Sequence, residues 1–173
     1  MDNPIYIIGQ IFGAIAVVLG FVSYQVKTQK MMLLMQAITA LVFIIHYLLI
    51  DAMSGMALNI VALIRNFAYS RKDIKIFSGK ACPIFFAVVM GVIGILSWQA
   101  WYSVFVVAGL VINSVCMSFK NPQNIRKSIL ISSPLVLIYD IFVVSVGGAI
   151  YESVAIVSAL LGIFRFRKEN ENQ

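Results

Sequence analysis

Three ionisable residues stand where an apolar chain does not ordinarily place them. Asp140 lies inside the run SPLVLIYDIFVVSVGG, and His46, the only histidine, shares FIIHYLLIDAMSGMALNIVALIRN (residues 43–66) with Arg65. A carboxylate within hydrocarbon costs roughly 2.5 to 3.5 kcal/mol on insertion scales, so it faces a pathway, pairs or titrates. An imidazole exchanges protons near neutrality or serves as a hydrogen-bonded packing group. Asp140 and His46 are therefore the candidates for a coupling proton. Arg65 either snorkels toward water from the end of its segment or points inward to an anionic group.

Amides and small residues accompany these charges at helical spacing. Gln36, Thr39, Phe43 and His46 follow one another at steps of three, four and three, which puts them on one helix face. Tyr6, Gln10, Gly13, Gly20 and Tyr24 form a second stripe, and Asn59, Ala62, Asn66 and Tyr69 a third. Stripes of this kind either line a common cleft or glue helices together, at about 0.6 kcal/mol per hydrogen bond. Further along the chain, Asn113, Ser132, Ser133 and Tyr139 can join Asp140. On the cleft reading, Gln10, Gln36, His46, Asn59, Asn66, Asn113, Tyr139 and Asp140 contact a small polar solute. No nucleophile elbow, HExxH, Walker loop or paired catalytic carboxylate occurs, so no enzymatic role, cofactor or metal is expected.

The elements that position these groups follow from composition. The chain of 173 residues is 61% hydrophobic and 12% charged, with a mean hydropathy of +0.96, which a soluble domain of this size could not bury. Membrane spans of about 20 residues account for it, and they must be helices because open strands leave backbone groups unsatisfied in lipid. Seven apolar segments are bounded by charge or turn residues: 5–25, 31–50, 53–69, 81–97, 100–119, 128–147 and 149–164. Lys27 and Lys30 follow the first, Arg71, Lys72, Lys75 and Lys80 the third, and Lys120, Arg126 and Lys127 the fifth, while Arg165, Arg167 and Lys168 close the seventh. The intervening connections carry no basic residue, an alternation that predicts an outside N-terminus and an inside C-terminus. The first segment lacks the basic leader of a cleaved signal, so the N-terminus is expected to be mature.

The net charge of +6 is explained by connections facing anionic headgroups, and no nucleic-acid motif accompanies it. Cys82 and Cys116 have no disulfide or metal spacing and read as packing residues. Trp98 and Trp101 suit an interfacial belt. Glu152, Asp51 and Asp2 fall in outer connections and read as solvated charges.

The fourth segment, CPIFFAVVMGVIGIL, is nearly free of polar groups and reads as a linker. On either side lie two parallel three-helix sets, 5–70 and 100–168, within one integral membrane domain spanning 1–173. Residues 59–73 can be laid on 155–169, and Tyr47 and Tyr139 stand at similar depths.

This plan, with the Pro122–Gln123 pair, resembles the PQ-loop and SWEET transporter superfamily and its PnuC-type relatives. The segment LGFVSYQVKTQKMMLLMQAITALVFIIHYLLIDAMSGMALNIVALIRN more closely resembles the YgjV family of small bacterial inner-membrane proteins. SYQVKTQK has no proline, nor does the first span after Pro4, so a proline hinge of the SWEET type is absent there. The resemblance implies a seven-helix, three-plus-one-plus-three fold in the bacterial inner membrane. It leaves open a small-solute permease or a non-transporting receptor, scaffold or accessory subunit. Either could act as a homo-oligomer within the lipid bilayer.

Overall fold

A computed structural model describes residues 4–26, 28–79, 81–119 and 121–171, without side-chain detail for Pro122 and for 166–171. Among the described residues there are eight helices and no strand: α1 Pro4–Gln25, α2 Gln29–Leu49, α3 Met53–Ser70, α4 Lys75–Ser78, α5 Ala81–Leu96, α6 Ser103–Cys116, α7 Pro122–Phe142 and α8 Val146–Glu171. By length and apolarity α1, α2 and residues 146–165 of α8 suffice to cross a membrane, while α5 and α6 are shorter apolar helices.

Local chemistry sets the boundaries. Thr28 caps α2 by accepting from the Met31 N–H, and Asn121 caps α7 by accepting from the Gln123 N–H with proline at N1. Two connections turn through the left-handed region, at Asp51 (φ 60°) and Val144 (φ 55°). Asp tolerates that conformation, whereas a β-branched valine is strained there.

Burial is inverted relative to a soluble bundle. α1 buries Gly9, Gly13, Ala16, Gly20, Ser23 and Tyr24 while exposing Ile7, Ile11, Ile15, Val18 and Phe21. Small residues inside and branched apolar residues outside are what close helix packing in lipid requires. A Cβ built on Gly147 would lie 2.4 Å from the Gly13 Cα, so the α1 and α8 backbones meet at a position only glycine fits. α5 buries Cys82, Phe86, Met90 and Gly94, spaced by four, half-buries Val89 and Ile93 beside them, and exposes Ile84, Phe85, Val88, Val92, Ile95 and Leu96.

Helix contacts close a ring. α1 packs on α2, α2 on α3, α3 on α6, α6 on α7, α7 on α8, and α8 back on α1, while α5 packs against α3 and α6.

Three expectations shift. The segment expected at 128–147 is a helix from Pro122 to Phe142, because the cap at Asn121 starts it early and the turn at Val144 ends it inside an apolar run. Asp140 therefore stands two residues from the end of α7, not seven. Arg126, expected in a connection, lies within α7 at 2% exposure, and a Cβ on Gly162 of α8 would fall 2.7 Å from its Nε. α6 covers only 14 residues of the segment expected at 100–119.

Candidate functional site

The polar stripes of α1, α2 and α3 all face inward, but they serve two separate places. The first is a cavity of about 60 Å³ at the centre of the ring. α1 contributes Tyr24 to it, α2 Gln36, Thr39 and Tyr47, and α3 Asn59, Arg65 and Asn66. α6 contributes Asn113, α7 Ser132 and Ser133, and α8 Tyr151 and Glu152. α5 contributes no lining residue.

One wall is tied by hydrogen bonds. Gln36 Nε2 donates to Ser23 Oγ at 2.8 Å, and its Oε1 accepts from the Tyr151 hydroxyl at 3.3 Å. The Tyr24 and Tyr151 hydroxyls are 3.4 Å apart. Asn113 Nδ2 reaches Ser132 Oγ at 3.4 Å, and Asn59 Nδ2 donates to the Gly55 carbonyl at 2.8 Å. These bonds fix the orientation of the amides that face the cavity.

Two charged side chains share this space. Arg65 is 2% exposed, so it does not snorkel; its Nε and Nη2 donate to Asn66 Oδ1 at 3.1 and 2.9 Å, and Nη1 meets the Met90 sulfur at 3.9 Å. Glu152, expected to be a solvated charge, is instead buried at 9% exposure because α8 starts at Val146 and carries it nearly two turns inward. Among the described residues neither has an opposite charge within 4 Å, the one ion pair being Arg71–Asp73.

The second place is the end of the bundle where α7 turns into α8. Tyr6 and Gln10 both donate to the Val144 carbonyl, at 2.7 and 3.1 Å, and Gln10 Oε1 accepts from the Gly147 N–H at 3.0 Å. These bonds tie α1 to the strained turn. His46 is fully buried, with Nδ1 2.7 Å from the Gly9 carbonyl and Nε2 2.7 Å from Ser145 Oγ. A carbonyl only accepts, so Nδ1 carries a proton. Asp140 Oδ1 accepts from the Tyr47 hydroxyl at 2.6 Å, while its Oδ2 has no hydrogen-bond partner. Tyr139 accepts from the Gly55 N–H at 2.9 Å.

The eight residues expected to meet one solute are thus divided. Gln36, Asn59, Asn66 and Asn113 line the cavity. Gln10, His46, Tyr139 and Asp140 do not; their partners lie at the α7–α8 turn, at Gly9, on Tyr47 and at the start of α3. The sequence reads Glu152 as a solvated charge and assigns Tyr151 no role. The signal for them was present in the small or buried residues Ala155, Ser158, Ala159 and Gly162, which mark the inner face of α8 and extend back to Glu152 at helical spacing.

Among the described residues no group of three or more His, Cys, Asp or Glu could hold a metal. An all-helical chain with membrane-length apolar helices, apolar exterior and polar interior defines a polytopic membrane protein. More particularly, the chain belongs to the Imp-YgjV family of bacterial inner membrane proteins, whose model matches residues 7–170. No curated protein and no solved structure matches it.

Proposed function

We propose that this protein is a small-solute permease, built as seven spans with the N-terminus outside and the C-terminus inside. Residues 5–70 and 100–168 form its two parallel three-helix sets, and residues 81–97 link them. The observation that carries the reading is the shared cavity, to which three helices on each side of α5 contribute and α5 does not.

Three features support the arrangement. Exchanging α1, α2 and α3 for α6, α7 and α8 turns the α3–α6 seam into the α8–α1 seam, as an axis along the membrane normal requires. Across the halves, Tyr47 bonds Asp140 while Tyr139 bonds Gly55. The alternation of basic connections supports the orientation. The wider likeness to PQ-loop and SWEET-type transporters rests on the Pro122–Gln123 pair and this helix order.

In this reading Gln36, Asn59, Asn66 and Asn113 contact solute together with Arg65 and Glu152. His46 and Asp140 hold the bundle end, and no residue is assigned a catalytic role. The test is release from proteoliposomes preloaded with a pool of small metabolites, followed by mass spectrometry. The reading expects a small polar solute to leave vesicles containing the parent protein and to stay in those containing a folded Asn113→Leu variant. Retention of every solute, with co-purification of a stoichiometric protein partner, would replace the permease with a receptor or scaffold.

A further inference from the structure

The cavity holds one guanidinium and one carboxylate that do not neutralise each other. Burying either without a counter-charge is costly, and folded proteins ordinarily offset the cost by pairing such groups. Here Arg65 on α3 and Glu152 on α8 face the same space with no ion pair between them and no other opposite charge within 4 Å among the described residues. Arg65 also has spare donors: a guanidinium carries five N–H groups, Asn66 takes two, and a thioether is a weak acceptor for a third. Glu152 lines the same space together with Ser133.

We infer that the cavity takes a small zwitterion, with an anionic end on Arg65 and a cationic nitrogen on Glu152. Such a molecule satisfies both buried charges at once and leaves the occupied site neutral. An anion alone would leave Glu152 without a partner, and a cation alone would leave Arg65 without one. Size narrows the class. The water-accessible space is about 60 Å³, a narrow volume that favours the smallest zwitterions, such as glycine and alanine, over aromatic ones. Asn113 and Gln36 then supply the neutral polar wall between the charged ends.

The inference rests on the cavity being a solute site, and its test is binding rather than flux. Purified full-length protein in lipid nanodiscs is titrated by calorimetry with glycine, L-alanine, acetate, methylammonium and L-tryptophan. Glycine or alanine should bind at least tenfold more tightly than acetate or methylammonium, with no binding of tryptophan. In Glu152→Gln the advantage of glycine over acetate should vanish, and in Arg65→Gln both should be lost. Melting temperatures report whether each variant is folded, and the parent series alone decides the question if a variant is not. Acetate equal to glycine, or no binding by any of the five, overturns the inference. Binding of glycine without release from vesicles would overturn the permease and leave the zwitterion site, whereas release of a solute of another class would do the reverse.

Discussion

Gly20 is the position where one methyl group reports most directly on the packing that shapes the cavity. A Cβ built there would lie 2.0 Å from Tyr151 Cε2, 2.8 Å from Cδ2 and 3.0 Å from Cζ. An ordinary contact is near 3.5 Å, so the ring must retreat by roughly 1.5 Å in Gly20→Ala. It is confined by Phe43, edge-on at 4.8 Å between centroids, and by its hydroxyl contacts with Gln36 and Tyr24. Overpacking of this kind costs about 1–3 kcal/mol. Loosening two interhelical hydrogen bonds adds about 1 kcal/mol, at roughly 0.6 each. The expected loss is thus about 2–4 kcal/mol, read by reversible denaturation in mild detergent. Tyr151→Leu removes the obstructing ring, so in that background Gly20→Ala should cost less than about 1 kcal/mol, leaving a coupling energy within the range seen for touching residues. An equal cost in both backgrounds, or none in the parent, would refute the described contact between α1 and α8.

Other perturbations test separate parts of the account. Tyr47→Phe removes the donor to Asp140 Oδ1 while Oδ2 already lacks a partner, and should destabilise the protein by about 1–3 kcal/mol; an unchanged denaturation midpoint would contradict it. Val144→Gly relieves a left-handed β-branched residue that is 44% exposed, so it should stabilise by up to about 1 kcal/mol after the entropy cost of glycine. A fall in melting temperature would show that the turn is not strained. For orientation, Trp98→Cys should react with a membrane-impermeant maleimide in intact spheroplasts and Asp73→Cys only after lysis, both in a background lacking Cys82 and Cys116. The reverse pattern would invert the topology.

The sequence made the helical architecture legible because apolar runs, caps and charge clusters act locally. The faces were legible too: the three-four-three spacing of Gln36, Thr39, Phe43 and His46 identifies a buried stripe, and all four are buried. Which residues share a site was only partly legible. Gln36 and His46 lie on one stripe but three helical turns apart, so one reaches the cavity and the other the Gly9 carbonyl. The depths of Asp140 and Glu152 are not legible, because Ser145 alone interrupts the apolar run through Val143–Val146, where the backbone reverses. That reversal depends on a positive φ at valine, which residue type argues against. The basic pair Arg126–Lys127 reads as part of a connection, although Asn121 and Pro122 start the helix before it. The burial of Arg126 depends on Gly162, 36 positions away, and no local pattern reports that.

Accessibility at position 113 distinguishes a transport pathway from a sealed cavity. Asn113 faces the cavity from α6, so Asn113→Cys, in a background lacking Cys82 and Cys116, reports who can reach that space. A permease that opens alternately to each side predicts modification by a small impermeant thiol reagent from either face of sealed, sided vesicles, with protection by the transported solute. Reaction from neither face would make the cavity a sealed packing defect, and reaction from one face alone would make it the pocket of a receptor.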